Sequence, residues 1–412
     1  MFAAVKSREL RVESQKAAIA LRSCCGTVKQ GRPRLGRPTR GFTLVELLVV
    51  ILILSILAAL VLGVAAVAAE TARQAQTKHI VERLHTLLME HYNTLKTRRV
   101  GLRRTVGSIP GIPEQIEAKF PTNPRVQGQA LAEARLYAFR ELVLMEVPDR
   151  WSDILLTDVG TPSVSDDDQV PPLPAASAEA PLYLANRPGL SGVFLRRYAS
   201  LVGRINTVSG SVNTAGDIKR NQGAECLYMI VTLACGDGEA RSQFKDADIG
   251  DIDGDGAPEF LDGWGRPINF LRWAPGFDSQ LTLNANQLQT TDSSASSFWP
   301  VAAAKDHDPF DVFRCDLYAY RLVPLIYSPG RNESSGLVSD PGHVTWRPKP
   351  LMPTITFNNS SPYIAAQSAL NPYQKVGTPA GYIGTDIHLV DPANFPETTS
   401  TDNIHNHLMG LR

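Results

Sequence analysis

The chain has 412 residues, equal numbers of acidic and basic side chains, and five cysteines. This length permits two or three domains. The chain lacks the excess of positive charge that is typical of proteins that bind nucleic acid. Only Cys226, Cys235 and Cys315 follow the first 41 residues, and so few cysteines in an odd number argue against a disulfide scaffold. If residues 223–234 are helical, Cys226 and Cys235 lie about 13 Å apart along the axis, so buried free thiols are expected.

Residues 1–41 form a basic leader. They contain ten Lys or Arg and two Glu, and because the whole chain is neutral, residues 42–412 carry a net charge of −8. The leader ends in GRPRLGRPTRG, whose density of Pro, Gly and Arg argues against a folded unit. Since basic flanks of a membrane span stay in the cytoplasm, we expect a cytoplasmic leader, a single inner-membrane span and an exported head, either periplasmic or extracellular.

Residues 40–70 contain a run long enough to cross a bilayer. Twenty-three uncharged residues separate Glu46 from Glu70, and at about 1.5 Å per residue a helix of this length covers the roughly 30 Å hydrocarbon core. A carboxylate such as Glu46 costs on the order of 2.5–3.5 kcal/mol there, so we expect it to meet an opposite charge. An ordinary signal peptide has its informative residues after the apolar run, whereas here they precede it.

The string GFTLVE at residues 41–46 resembles the processing site of type IV prepilins and type II secretion pseudopilins. This resemblance implies that prepilin peptidase cuts after Gly41 and that Phe42 becomes the N-methylated first residue. It further implies that Glu46, the fifth mature residue, meets the Phe42 amine of a neighbouring subunit. Other pilin-like subunits and an inner-membrane assembly platform are the implied partners. Leaders in this family are often much shorter, so either the start codon lies further downstream or this leader is long.

Beyond Glu70, apolar residues continue at helical spacing and predict that the helix leaves the membrane and runs to about Arg99: Ile80, Leu84, Leu87, Leu88, Tyr92 and Leu95. The Pro-rich SIPGIPEQ stretch ends this helical region near Gly107, and a second helix is predicted from about Gln127 to Val147. The predicted organisation is a spine over 42–107, a helical region over 108–160, a linker over 161–181 and a globular head over 182–412.

The head is predicted to contain a buried helix over 223–234, followed by short strands. Apolar or alternating runs bounded by Gly, Pro, Asn and Asp predict antiparallel strands within 267–273, 316–328, 343–347 and 354–357. The tail from Leu370 is rich in loop residues, and His405 and His407 are expected to be solvated there. A long helix packed on a head with a small antiparallel sheet is an α+β fold.

The stretch DIDGDGAPEFLD, residues 251–262, has the spacing of a calcium loop, with Gly256 at the sharp turn. The predicted ligands are Asp251, Asp253, Asp255, the backbone carbonyl of Ala257, Glu259 and Asp262. No exit helix is apparent after the loop, so a dockerin-like or free-standing Asp loop is a better comparison than an EF-hand. The alternative is a turn whose carboxylates cap their own backbone.

The next residues, DGWGRPINFLRWAPG at 262–276, resemble the core of the major pseudopilin of type II secretion. YSPG at 327–330 resembles the later Tyr-Ser turn of that family. In that family calcium ligands follow the Tyr-Ser turn, whereas the stretch after YSPG here is poor in carboxylates. The resemblance implies a non-enzymatic subunit of a type II secretion-type pseudopilus rather than of a type IV pilus.

Two alternatives remain open. Asp306, His307, Asp308 and Asp311 in KDHDPFD could bind a metal, which would make the chain a membrane-anchored binding protein or metal-dependent hydrolase. No second His or Cys cluster has ligand spacing, and no P-loop or GxSxG motif is present. The other alternative is a calcium-stabilised minor or tip subunit. Nucleic acid is not expected as a partner, because residues 42–412 are acidic.

Overall fold

The computed structural model describes residues 42–156, 181–207, 221–236, 239–288, 298–332, 334–339, 357, 370–373, 375, 381–395 and 400–411. The leader, with Gly41, lies outside the described residues. So do the predicted linker, apart from Pro181, and the predicted strand at 343–347. Of the strand predicted at 354–357, only Phe357 is described.

The helices of the described residues are α1 Leu44–Lys96, α2 Ile112–Lys119, α3 Pro124–Glu146, α4 Trp151–Leu155, α5 Gly189–Thr207, α6 Gln222–Ala234, α7 Ala285–Leu288, α8 Phe298–Lys305 and α9 Ile387–Val390. The strands are β1 Ile249–Gly250, β2 Glu259–Phe260, β3 Asn269–Leu271, β4 Leu325–Ser328 and β5 Ile404–His405. The α+β fold predicted from the sequence is confirmed.

The chain divides into two units, Met1–Ala65 and Ala66–Arg412. In the first unit, every described side chain is exposed, and after Glu46 the surface of α1 consists of Leu, Val, Ile and Ala, with Ser55 and Gly63 as the exceptions. Among the described residues, α1 is the one helix long and apolar enough to cross a membrane. Such a surface is stable in lipid, where the helix satisfies its own backbone.

In the second unit, the rest of α1 forms part of the hydrophobic core. Its buried side chains recur every three or four residues, as the helical period requires: Thr77, Ile80, Val81, Leu84, Leu87, Leu88, Tyr92 and Leu95. The six apolar residues predicted to face the head are therefore confirmed. Lys78, Glu82, Arg83 and Glu90 lie on the exposed face, as their charge requires.

Helix α6 lies at the centre of the same core. Its side chains pack with α1 and with the aromatic residues Trp151, Phe260 and Phe270. The predicted helix over 223–234 is confirmed, as is the predicted helix near 127–147, which is α3. Cys226 and Cys235 are buried free thiols, as predicted, and Cys315 is also free.

The described strands form two small antiparallel sheets. β1 pairs with β2, placing Ile249 opposite Phe260 and enclosing the Asp-rich loop. The second sheet has the order β3-β4-β5, with Phe270 opposite Ile326 and Tyr327 opposite His405. Strands β1, β2 and β5 have two residues each, too few to show an alternating pattern in the sequence.

Three sequence-based boundaries are corrected. The predicted strand over 316–328 is reduced to β4, because Pro324 has no amide to donate and the Asp311 carboxylate turns the preceding chain by accepting from the amides of Cys315 and Asp316. The strand over 267–273 is limited to β3. The Pro-rich stretch does not end the helical region near Gly107 as predicted, because α1 already ends at Lys96; the stretch begins α2, with Pro113 in the first turn.

The C-terminal tail is also corrected. His407 is only 1% exposed, and the rings of His405 and His407 pack edge-on against Phe277 with centroids 4.8 and 5.5 Å away. Asn406 donates from its amide to the Pro324 carbonyl at 2.9 Å. The tail residues 404–407 are thus part of the head, where ring packing outweighs the polar character of NIHNHL.

Candidate functional site

The segment after the Asp-rich loop is held by Asp262. Its Oδ1 accepts from the backbone amides of Trp264 and Arg266 at 2.8 and 2.9 Å, and its Oδ2 accepts from Ser328 Oγ at 2.6 Å. Arg266 also donates to the carbonyl of Gly330. The DGWGRP and YSPG turns, which are more than sixty residues apart in sequence, therefore lie against each other.

The same DGWGRP turn packs on α1. The Gly263 amide donates to Thr77 Oγ1 at 2.9 Å, and Trp264 Nε1 donates to Glu70 Oε2 at 3.3 Å. A Cβ atom at position 263 would lie 2.5 Å from the Arg73 carbonyl oxygen, so only glycine permits this close approach. The turn thus couples the sheet to α1.

Within the Asp-rich loop, two of the predicted ligands cap their own backbone. Asp251 accepts from the amides of Gly254 and Gly256 at 2.8 and 3.0 Å, and Asp255 accepts from the amide of Ala257 at 2.7 Å. Gly254 and Gly256 have φ of +77° and +93°, which favour glycine. This is the arrangement that the capping alternative predicts.

The loop also supplies two carboxylates to a second group. One oxygen each from Asp253, Glu259 and Glu225 of α6 lie within 4.8 Å of one another. Asp251, Asp253 and Asp255 form another group by the same measure, so Asp253 belongs to both. Asp262 is in neither group, and the turn and Ser328 engage both of its oxygens.

The second group is deeply buried. Glu225 is 1% exposed and Glu259 is 0% exposed. Burial, with the neighbouring carboxylates, raises the pKa of Glu225 to about 10, and burial raises the pKa of Glu259 to about 8. Within the described part of the chain, neither side chain has an Arg or Lys at ion-pair distance.

Neutral donors satisfy only part of this group. Trp151 Nε1 donates to Glu225 Oε2 at 2.5 Å. Asn221 Nδ2 lies 3.1 Å from Asp253 Oδ2 and 3.3 Å from Glu259 Oε1, and the Ile252 amide donates to Glu259 Oε2 at 3.2 Å. Glu225 Oε1 is buried and has no hydrogen-bond partner in the described residues. The sequence analysis missed Glu225, although a lone acid inside the apolar helix GAECLYMIV was a usable signal.

The N-terminal segment has a reciprocal cap. Glu46 Oε2 accepts from the backbone amide and the hydroxyl of Thr43 at 2.8 and 3.0 Å, and the Glu46 amide donates to Thr43 Oγ1 at 3.2 Å. This capping box begins α1, and the positive end of the helix dipole favours the carboxylate. Glu46 therefore has partners within its own chain, which the sequence analysis did not foresee.

Residues 36–62 match the family model described as the prokaryotic N-terminal methylation motif. The chain carries a prepilin-type methylation motif. The match includes Gly41, Phe42 and Glu46, the residues on which the sequence analysis placed processing and assembly. No curated protein and no solved structure matches the chain. The motif indicates a type IV pilin-like protein that is processed by prepilin peptidase and assembles with other pilin-like subunits.

The residues of KDHDPFD are engaged in structural contacts. Arg321 Nε donates to Asp306 at 2.9 Å, His307 Nε2 lies 3.2 Å from Asp311 Oδ2, and Arg140 lies 3.7 Å from Asp308. Among the residues that the structure describes, these side chains do not form a group of three potential metal ligands. Ion pairs and turn caps account for the acidic residues there.

Proposed function

We propose that this protein is a non-enzymatic pseudopilin-like subunit of a type II secretion-type pseudopilus. In this proposal prepilin peptidase cleaves after Gly41, Phe42 is methylated, and the inner-membrane assembly platform adds the subunit to other pilin-like subunits. The leader is cytoplasmic, and the head is periplasmic or extracellular. The observation that carries the proposal is the methylation motif at residues 36–62, which ends within the apolar, exposed first part of α1.

The contacts of Glu46 support a role in assembly. The capping box engages Oε2, and within the described residues Oε1 accepts no hydrogen bond. A new amine at Phe42 of a neighbouring subunit would be a suitable partner for this oxygen, because opposite charges in a low-dielectric medium stabilise each other when both remain hydrogen-bonded. In the monomer the Glu46 carboxylate is only hydrogen-bonded within the capping box, and assembly would neutralise its charge.

The head supports type II secretion over a type IV pilus. Asp262 and Ser328 belong to the two stretches that resemble the major pseudopilin, and their side chains are hydrogen-bonded. Two separate sequence similarities that meet in one contact are better explained by a shared architecture than by chance. Under this proposal, the Gly263 and Trp264 contacts seat the head on the subunit's own spine.

The first test is mass spectrometry of the mature N-terminal peptide from cells with active prepilin peptidase. We expect a chain that begins with methylated Phe42. The second test compares Glu46→Gln with Glu46→Ala in filament assembly. Gln can maintain the capping box but carries no charge, so both variants should fail to assemble if the charge is what matters.

Glu82→Gln is the matched control, because Glu82 is an exposed acid on the same helix. It should assemble as the wild type does. An uncleaved leader in the presence of the peptidase, or normal filaments from Glu46→Gln, would contradict the proposal.

A further inference from the structure

The acidic group that contains Glu225 raises a separate question, which does not depend on how the N-terminus is processed. Three carboxylates meet inside the head, and two of them are almost inaccessible to water. Burying carboxylates together is costly unless a proton or a cation neutralises their charge. No Arg or Lys does so for Glu225 or Glu259 within the described residues.

The unsatisfied atom is Glu225 Oε1. The other oxygen of this carboxylate accepts from Trp151, which fixes the orientation of the group. Glu225 also comes from α6, outside the loop, so its position does not follow from the turn geometry of residues 251–258. A buried oxygen without a donor, on a carboxylate placed beside two others, is the arrangement that a bound cation requires.

The chemistry of the donors selects the cation. All three side chains offer hard carboxylate oxygens, and the group contains no His or Cys, which disfavours zinc. Calcium accepts six to eight oxygens in flexible geometry, whereas magnesium demands a small octahedral shell and retains several waters. Asp251 and Asp255 cap amides of the loop and thereby hold Asp253 toward the group.

We propose that Glu225, Asp253 and Glu259 bind a calcium ion that fastens the Asp-rich loop to α6. This ligand set differs from the one expected from loop spacing, since it includes Glu225 from a distant helix and excludes Asp262. The ion would hold β2 against the core immediately before the turn that packs on α1. Its role is to stabilise the head.

The test uses the full chain in detergent micelles, stripped of metal with a chelator and then titrated with Ca²⁺ in a calorimeter. Thermal unfolding is measured with and without the ion. We expect one Ca²⁺ per chain and a higher melting temperature when it is bound. Glu225→Gln should weaken binding by about tenfold or more and lose the calcium-dependent rise, and Glu259→Gln should do the same.

The melting temperature of Glu225→Gln without metal shows whether Glu225 acts by binding calcium or stabilises the fold by itself. Glu225→Gln preserves the shape and the Trp151 hydrogen bond but removes a buried carboxylate, so without calcium it should melt no lower than the wild type. Asp246→Asn is the control, because the side chain of Asp246 is 97% exposed and lies just before β1. It removes the same charge and should bind Ca²⁺ as the wild type does.

Four outcomes would overturn the proposal. The first two are a wild type that does not bind Ca²⁺ at about 1 mM and one that binds Mg²⁺ equally well. The other two are wild-type affinity in both Glu225→Gln and Glu259→Gln, and a loss of affinity in Asp246→Asn as large as theirs. If Glu225→Gln does not fold, the wild-type titration and Glu259→Gln decide the question. None of these outcomes bears on cleavage after Gly41, so the pseudopilin proposal can fail or succeed separately.

Discussion

Asp262 Oδ2 accepts a hydrogen bond from Ser328 Oγ at 2.6 Å, in the buried interior of the head. This contact joins the turn that follows β2 to the end of β4. Asp262 Oδ1 simultaneously accepts from two backbone amides. The Asp262 carboxylate therefore holds both turns. Mutating Asp262 and Ser328 singly and together measures how much their hydrogen bond contributes.

We expect Asp262→Ala to lower the free energy of unfolding by about 3 kcal/mol, because two amides and the Ser328 hydroxyl lose their acceptor. Ser328→Ala should cost about 1–2 kcal/mol, and a double-mutant cycle should give a coupling energy near 1 kcal/mol. Urea unfolding followed by tryptophan fluorescence measures these values. Additive effects of the two substitutions would show that the hydrogen bond contributes nothing to stability.

Gly263→Ala should destabilise the head by about 1–3 kcal/mol, since the new methyl group would overlap the Arg73 backbone. Gly128→Ala is the matched control. Gly128 lies exposed in α3 with open space around its Cα, so alanine there should stabilise by about 0.5–1 kcal/mol. Thermal unfolding measures both changes. A higher melting temperature for Gly263→Ala than for the wild type would mean that the turn does not pack closely against α1.

The contribution of His407 to the stability of the head should fall as the pH drops from about 6.5 toward 4. Burial, together with the nearby His405, lowers the pKa of His407 to about 4. At this residue the unfolded chain binds more protons than the folded chain in this range, so its contribution to stability decreases with pH, whereas the raised pKa values of Glu225 and Glu259 act in the opposite direction. Above about pH 6.5 this contribution is fully present.

The effect of His407 should be on the order of 1–3 kcal/mol. His407→Asn removes the titrating ring, so the free energy of unfolding of the wild type relative to this variant should decrease as the pH falls from about 6.5 toward 4. Exposed His79 on α1 provides the control His79→Asn, which should retain the wild-type slope. Equal slopes for His407→Asn and the wild type would contradict this account.

Arg272→Met should cost about 3–5 kcal/mol. The guanidinium is fully buried and donates to Asp153 at 2.6 Å and to the Val147 carbonyl at 3.0 Å, and it lies 3.4 Å from Asp149. Removing it takes the Arg272 cation away from Asp153 and Asp149, and of these two Asp149 retains its ion pair with Arg150 at 3.4 Å. Urea unfolding should show the loss.

Arg241→Met is the comparison for Arg272. Arg241 pairs with Asp246 on the surface, where ion pairs contribute about 0–1 kcal/mol. Adding Asp149→Asn and Asp153→Asn to Arg272→Met should restore part of the stability. If the triple variant is less stable than Arg272→Met alone, the loss comes from packing rather than from unpaired charge.

The long helix α1 and its core-facing side could be predicted from the sequence, because the length of the apolar run and the helical period determine them. The helical recurrence of Ile80, Leu84 and Leu88 predicted which face of α1 enters the core. The apolar run and GFTLVE predicted the anchor and the motif at residues 36–62. These features are local in sequence, so they can be recognised without knowing which segments meet.

The parts that sequence reasoning missed depend on contacts between distant segments. Glu225 joins the acidic group because α6 packs beside β2, and no spacing rule connects residues 225 and 259. His407 is buried because the tail returns to Phe277. Thr43 was the exception, since T-x-x-E before an apolar run is a capping-box pattern that could have been recognised.

The burial of α1 between Thr77 and Leu95 limits where the protein can be shortened. A secreted, detergent-free version that starts near Ala66 retains every core side chain that this helix provides. One that starts at Arg99 would expose the partners of Leu84, Leu88 and Tyr92 to water, and we expect it to aggregate. The hydrophobic anchor can therefore be removed by truncation, whereas the helical extension beyond it cannot.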